Sequence, residues 1–205
     1  MTYYKFKINK LGFSLVELMV SISIVTVIMS VVLLAHNSFV DRASLSSSSQ
    51  DVTISIREAQ IYGLNTRETA VGSGQFGYAY GVYFNPTYNP SSYFIFSDSN
   101  SNDLYDVGNG CGSGTTECLE EVVLKDGVTV GNVCTVVGVD DSCSTLDAAH
   151  FTFKRPVTDA VIYFTDKRGN NKTSIQKIGK VQLKSKDGKV TYVNVDSVGQ
   201  VTTQN

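Results

Sequence analysis

Residues 10–35 read KLGFSLVELMVSISIVTVIMSVVLLA, and this stretch decides what the rest of the chain must be. A short basic segment carrying Lys5, Lys7 and Lys10 ends at Gly12, and an apolar run begins at Phe13. One carboxylate, Glu17, stands four residues into the run, and no charge follows from Leu18 to Val40. At about 1.5 Å of rise per residue the run is long enough for one bilayer-spanning helix. An ordinary signal peptide or signal anchor would account for the basic flank and the apolar core. It leaves Glu17 unexplained, because a carboxylate near the mouth of a hydrophobic helix is costly unless it has a partner.

The string Gly12-Phe13-Ser14-Leu15-Val16-Glu17 resembles the class III leader junction of type IV pilins and type II secretion pseudopilins. The resemblance implies that residues 1–12 are a leader, that a membrane-embedded prepilin peptidase cuts after Gly12, and that Phe13 becomes a methylated mature N-terminus. Glu17 is then the fifth mature residue, and the basic leader stays cytoplasmic, as the positive-inside rule expects. A further implication is that Glu17 of one subunit pairs with the Phe13 amine of a neighbour. Such pairing would make a buried carboxylate tolerable. The implied partners are other pilin or pseudopilin subunits in a helical filament, the peptidase and the inner membrane. No small-molecule substrate and no required cofactor are expected. The implied location is the inner or cytoplasmic membrane, crossed once, and then an extracellular or periplasmic filament.

Beyond the apolar run the composition points to a strand-rich extracytoplasmic unit: Tyr and Phe are frequent, Trp is absent, and Ser, Thr, Asn, Gly and Val abound. Charge is unevenly placed. Residues 1–153 hold 7 basic and 15 acidic side chains, whereas 154–189 hold 10 basic and 3 acidic. All four cysteines, Cys111, Cys118, Cys134 and Cys143, follow the membrane segment, and an even count in a translocated region reads as two disulfides. Three connectivities are open, with the sequence-local pairs 111–118 and 134–143 favoured. A zinc site built from all four is the rival, but the gaps within the pairs are wider than such sites usually use.

The helix is expected to continue past the membrane, since no glycine falls between Gly12 and Gly63 and no proline precedes Pro86. Leu45, Val52, Ile56, Ala59 and Gly63, with Ser48 and Ser49, form one face that should lie on the globular unit, while Ile54 and Ile61 point away. The Ser46 to Ser49 run has weak helix propensity and is a place for a break or bend. Strands are expected at 76–84 and 92–97 as a hairpin, at 121–125 and 128–139, and then at 150–154, 160–165, 174–185, 189–195 and 197–203. Asp187-Gly188 and Gly199 mark turns in the tail.

Two segments could carry chemistry. Asp98, Asn100, Asn102 and Asp106 have the spacing of oxygen ligands in a loop that wraps Ca2+, although Asp103 and Asn109 occupy places where an EF-hand has glycine and glutamate. An Asx-rich turn without metal is the alternative. The basic segment 154–189, with Lys167, Arg168 and Lys172 at its centre, could supply the phosphate contacts of a DNA-binding minor pilin. The other possibility is lysines that keep strand edges soluble and complement an acidic face of the next subunit. An enzyme is not expected. The two histidines, His36 and His150, come with no recognisable triad, and there is no Ser-centred elbow, phosphate-cradling glycine loop or HExxH sequence.

The expected class is α+β and pilin-like: a leader at 1–12, a long helix at 13–66 with its transmembrane part at about 13–35, and a β-rich unit at 67–205 whose residues 108–147 form a cysteine-bearing variable region. The Arg57-Glu58-Ala59 segment, the aromatic strands and the closing hairpins resemble the H-like minor-pseudopilin and minor-pilin branch, which implies two packed sheets. The one-sheet layout of major pilins stays open. So does a role as a membrane-anchored extracellular binding protein.

Overall fold

The structure, a computed structural model, describes residues 12–65, 74, 77–106, 108, 111, 117–136, 143–166, 173–175 and 177–204, without the side chains of 34–38, 136, 143–145 and 173–175. The chain divides into two compact units, Met1–Val40 and Asp41–Asn205.

A single helix, α1 (Leu15–Leu64), runs for 50 residues. Ser14 caps it, since the first intrahelical bond runs from the Leu18 N–H to the Ser14 carbonyl at 3.1 Å. No break occurs at Ser46–Ser49. Tertiary packing overrides the weak propensity there: Ser48 and Ser49 are buried, and the Ser49 hydroxyl donates back to the Ser46 carbonyl at 2.9 Å. In the second unit α1 buries the face expected of it, with Leu45 at 6% exposure and Val52, Ile56 and Ala59 at 0%, and leaves Ile54 and Ile61 outside at 61% and 55%.

Eleven strands follow among the described residues: β1 (Ala79–Phe84), β2 (Ser92–Asp98), β3 (Cys118–Val123), β4 (Thr129–Val136), β5 (Cys143–Leu146), β6 (Ala148–Phe153), β7 (Ala160–Thr165), β8 (Thr173–Ile175), β9 (Ile178–Lys184), β10 (Val190–Asp196) and β11 (Val201–Gln204). They form two sheets, ordered β3-β2-β1-β6-β7-β8 and β11-β10-β9-β4-β5, in which every pair of neighbouring strands is antiparallel. The α+β architecture with two sheets is therefore present. Both sheets and α1 share one core: Val82, Phe84, Phe151 and Ile162 come from the first sheet, Val133, Val181, Leu183 and Val193 from the second, and Val52 and Ile56 from the helix.

β1 and β2 are buried at every position because both faces of the first sheet are covered there. Val82, Phe84 and Tyr93 face the shared core, while Tyr83, Phe94 and Phe96 join Tyr105, Cys118 and Ala148 in a second cluster. That double burial explains why these strands read as continuous aromatic runs. In contrast, β10 alternates between buried and partly exposed residues from Thr191 onward.

The expected strand at 174–185 is two strands in different sheets. Ile175 pairs with Ile162 in the first sheet, whereas Ile178 pairs with Asp196 in the second. β-propensity is continuous through this segment, so the split comes from which neighbour captures each end. β5 was not expected, as Cys143–Leu146 lies in a polar, acidic stretch without apolar alternation and is ordered by pairing with β4.

The last two hairpins use the same turn. In the β9–β10 hairpin the Ser185 N–H donates to the Lys189 carbonyl and the Gly188 N–H to Ser185; in the β10–β11 hairpin the Asp196 N–H donates to Gln200 and the Gly199 N–H to Asp196. Gly188 and Gly199 both sit at φ 81°, where a side chain would be strained. Asp187 is absent from the positive-φ residues, so the left-handed step falls on glycine alone.

Candidate processing and assembly site

Gly12, Phe13 and Ser14 precede the helix as non-helical backbone, and Glu17 occupies its first turn. A carboxylate is favoured there by the helix dipole. Ser14 and Glu17 stand at the N-cap and three residues on, the spacing of a capping box, which is a signal carried by the sequence itself. A Cβ added at Gly12 would meet nothing within 4 Å. No packing within the described chain therefore demands glycine at this position.

From Phe13 to Leu33 every large apolar side chain is more than half exposed, from 52% at Val20 to 76% at Phe13. The segment Leu15–Leu33 is long and apolar enough to cross a membrane, with a mean hydropathy of 2.4 over its 19 residues. Its hydroxyls close on their own backbone: Ser21 donates to the Glu17 carbonyl at 2.7 Å, Ser23 to Met19 at 2.8 Å, Thr26 to Ser23 at 2.9 Å and Ser30 to Thr26 at 2.8 Å. In hydrocarbon a hydroxyl without such a partner would be costly, and these four are satisfied within the helix.

Residues 7–33 match the family model described as the prokaryotic N-terminal methylation motif. The chain carries a class III signal peptide of the type IV pilin and pseudopilin kind. The match thus covers Gly12, Phe13 and the apolar half of α1, and proteins of this motif family are structural rather than catalytic. No curated protein and no solved structure matches the chain.

The other residues singled out by sequence fall as follows. Cys111 and Cys118 form a disulfide with a Cα–Cα distance of 4.7 Å. Cys134 is also disulfide-bonded, and the side chain of Cys143 lies outside the described ones. Asp98, Asn100, Asn102 and Asp106 are brought together. The buried Asp98 carboxylate accepts the N–H groups of Asn102 and Asp103 at 3.0 and 2.9 Å, and the Asn100 side-chain amide donates to Asp106 at 2.5 Å. Backbone and amide donors thus occupy the oxygens that the spacing drew attention to. Among the described residues no group of three or more His, Cys, Asp or Glu could hold a metal ion.

Sequence reasoning missed two residues that fasten this loop. Glu117, buried beside Cys118, accepts the Ser99 N–H at 3.0 Å, the Ser99 hydroxyl at 3.1 Å and the Asp106 N–H at 2.9 Å. Burial raises its carboxyl above the usual range, and these donors pull it part of the way back. His150, also buried, accepts the Tyr105 N–H at Nδ1 at 2.9 Å, while its Nε2 lies 3.1 Å from the Thr165 hydroxyl. Only the tertiary fold brings these groups to the loop.

Lys167, Arg168 and Lys172 lie outside the described residues. Elsewhere in the basic segment, Lys154, Lys177, Lys184 and Lys186 are exposed, whereas Lys180 is buried with its ammonium 5.9 Å from the Tyr192 ring centroid.

Proposed function

We propose that this chain is a structural subunit of a type IV pilus or a type II secretion-type pseudopilus. Hydrolysis of the Gly12–Phe13 bond by the prepilin peptidase leaves a carboxylate on Gly12 and an amine on Phe13, and the new N-terminus is then methylated. The subunit waits in the inner membrane on the span Leu15–Leu33 and leaves it when its helix packs among those of neighbouring subunits. Glu17 of the incoming subunit pairs with the Phe13 amine of one already in place, cancelling a charge that would be costly alone. The work is polymerisation, with no catalytic turnover.

The observation that carries this reading is the exposure of every large apolar side chain from Phe13 to Leu33, in a helix that bears the pilin motif and one carboxylate in its first turn. Gly12 supports it as well: among the described residues nothing makes a steric demand for glycine there, which fits a residue selected by an external peptidase. The test is Glu17→Ala in the full chain. The variant should be cleaved and retained in the membrane but absent from sheared filaments. Normal incorporation into filaments would remove the proposed pairing.

A further inference from the structure

The unit Asp41–Asn205 carries two oppositely charged surfaces on opposite flanks of α1. We propose that they are the two halves of one contact between successive copies of this chain, the β9–β10 hairpin tip of one copy seating in the groove between α1 and β2–β3 of the next. The inference rests on the assembly reading above and names a contact surface outside the membrane helix.

The groove has a volume of about 240 Å3. Ile54 and Val123, each 61% exposed, give it an apolar floor, and Asp51, Glu58 and Glu120 give it an acidic rim that Lys125 offsets only in part. Single exposed apolar side chains are ordinary on a protein surface. Here two of them share one groove, and one sits on β3, an edge strand of the first sheet among the described residues.

The hairpin tip has the matching chemistry. Lys184 and Lys186 are exposed, Lys189 is half-buried, and Val190 is 40% exposed between the basic groups and the following strand. Its one carboxylate, Asp187, lies against Asp41, whose own carboxyl is raised, chiefly by their hydrogen bond. Arg42 adds positive charge beside the tip, in a depression of about 500 Å3 lined by Leu45, Ser46, Lys189, Val190 and Thr191.

Position on the helix makes the pairing directional. At about 100° per residue, Asp51 and Glu58 lie roughly 160–180° around α1 from Arg42, and the groove is centred about ten residues, or about 15 Å, further along. Contact between the two surfaces is therefore head-to-tail and shifts each copy along the helix axis. Heterologous contacts of this kind propagate as open filaments unless the rotation closes a ring. A two-fold pairing cannot use both surfaces at once, because on opposite flanks of the helix they cannot both face the same partner.

The experiment uses the full chain in its own membranes and filaments. A photo-cross-linking amino acid replaces Val123, two differently tagged copies are co-expressed, and the linked peptides are mapped by mass spectrometry. The expected product joins position 123 of one copy to residues 184–190 of the other. Asp51→Lys with Glu120→Lys should lower its yield about tenfold, the effect of a modest change in contact energy. Adding Lys184→Glu with Lys186→Glu should restore it. Links from position 123 to another segment or another protein, an undiminished yield after reversal, or a loss that the paired reversal leaves unrepaired would each overturn the docking. Filaments are recorded in the same samples. If the parent chain forms none, the assembly reading itself fails; if they form without the 123 to 184–190 link, only the docking fails.

Discussion

From Phe13 to Leu33 the large apolar side chains are all more than half exposed, whereas from Leu45 to Ala59 the same helix holds Leu45, Val52, Ile56 and Ala59 at 6% exposure or less. Composition and pattern both separate the two regions: 13–33 carries one charge, whereas 45–59 holds five serines and three charged residues among its apolar ones. The second region repeats at helical spacing and has the two sheets to pack on, so its own chain stabilises it. The first is apolar all round, the arrangement of a helix meant for lipid or for the interior of a bundle. One helix therefore serves two solvents, and each half responds to substitution through a different partner.

The sharpest break in that comparison is Glu17→Ala. Assembly, measured as filament yield after shearing, should fall more than tenfold, a loss of more than about 1.4 kcal/mol per contact. The thermal unfolding of the second unit should not move. Ile56→Ala should do the reverse, lowering unfolding stability by about 2–5 kcal/mol because a fully buried side chain leaves a cavity. Val25→Ala, made at a position 54% exposed, should leave the same measurement within about 0.5 kcal/mol. Equal effects from the two substitutions would contradict the division.

Smaller effects sharpen the picture inside the second unit. Glu117→Gln should cost about 1–3 kcal/mol, since an amide donor would face N–H groups that now donate to a carboxylate. Its pH dependence has a definite sign. Burial raises the Glu117 carboxyl above its ordinary 4.5, so between that value and the raised one the folded chain holds more protons than the unfolded chain. The stabilisation from Glu117 is thus complete below 4.5 and declines as pH rises through the window. The parent's melting-temperature advantage over the variant should shrink across it, and an advantage that grew would refute the assignment. Ser55→Ala should cost about 1–2 kcal/mol by stranding the buried Tyr93 hydroxyl, now 2.9 Å from Ser55. Burial pushes the Tyr93 phenol up to about 12, and ultraviolet titration should show it returning toward the ordinary value if the variant lets water in.

The helix faces and the aromatic hairpin were legible in the sequence because they are written in periodicity: Val52, Ile56 and Ala59 recur at helical spacing, and β1 and β2 are bounded by turn residues. β5 was not, because Cys143–Leu146 has no apolar pattern and exists through its partner strand. The split between β8 and β9 was hidden for a related reason: both pieces favour strand, and long-range pairing alone decides which sheet takes each. At the junction, Gly12, Phe13 and Glu17 were readable as a local motif. Glu117 and His150 were not, since their work is to hold a loop that reaches them only after folding.

The central claim is that the apolar half of α1 is an assembly helix exposed by processing at Gly12, and the most direct measurement is the mass of the N-terminal peptide of this chain recovered from sheared filaments. The account predicts a peptide that begins at Phe13 and carries one methyl group on its amine. A chain that keeps Met1, or one cut beyond the apolar run and found only as a free subunit, would contradict it.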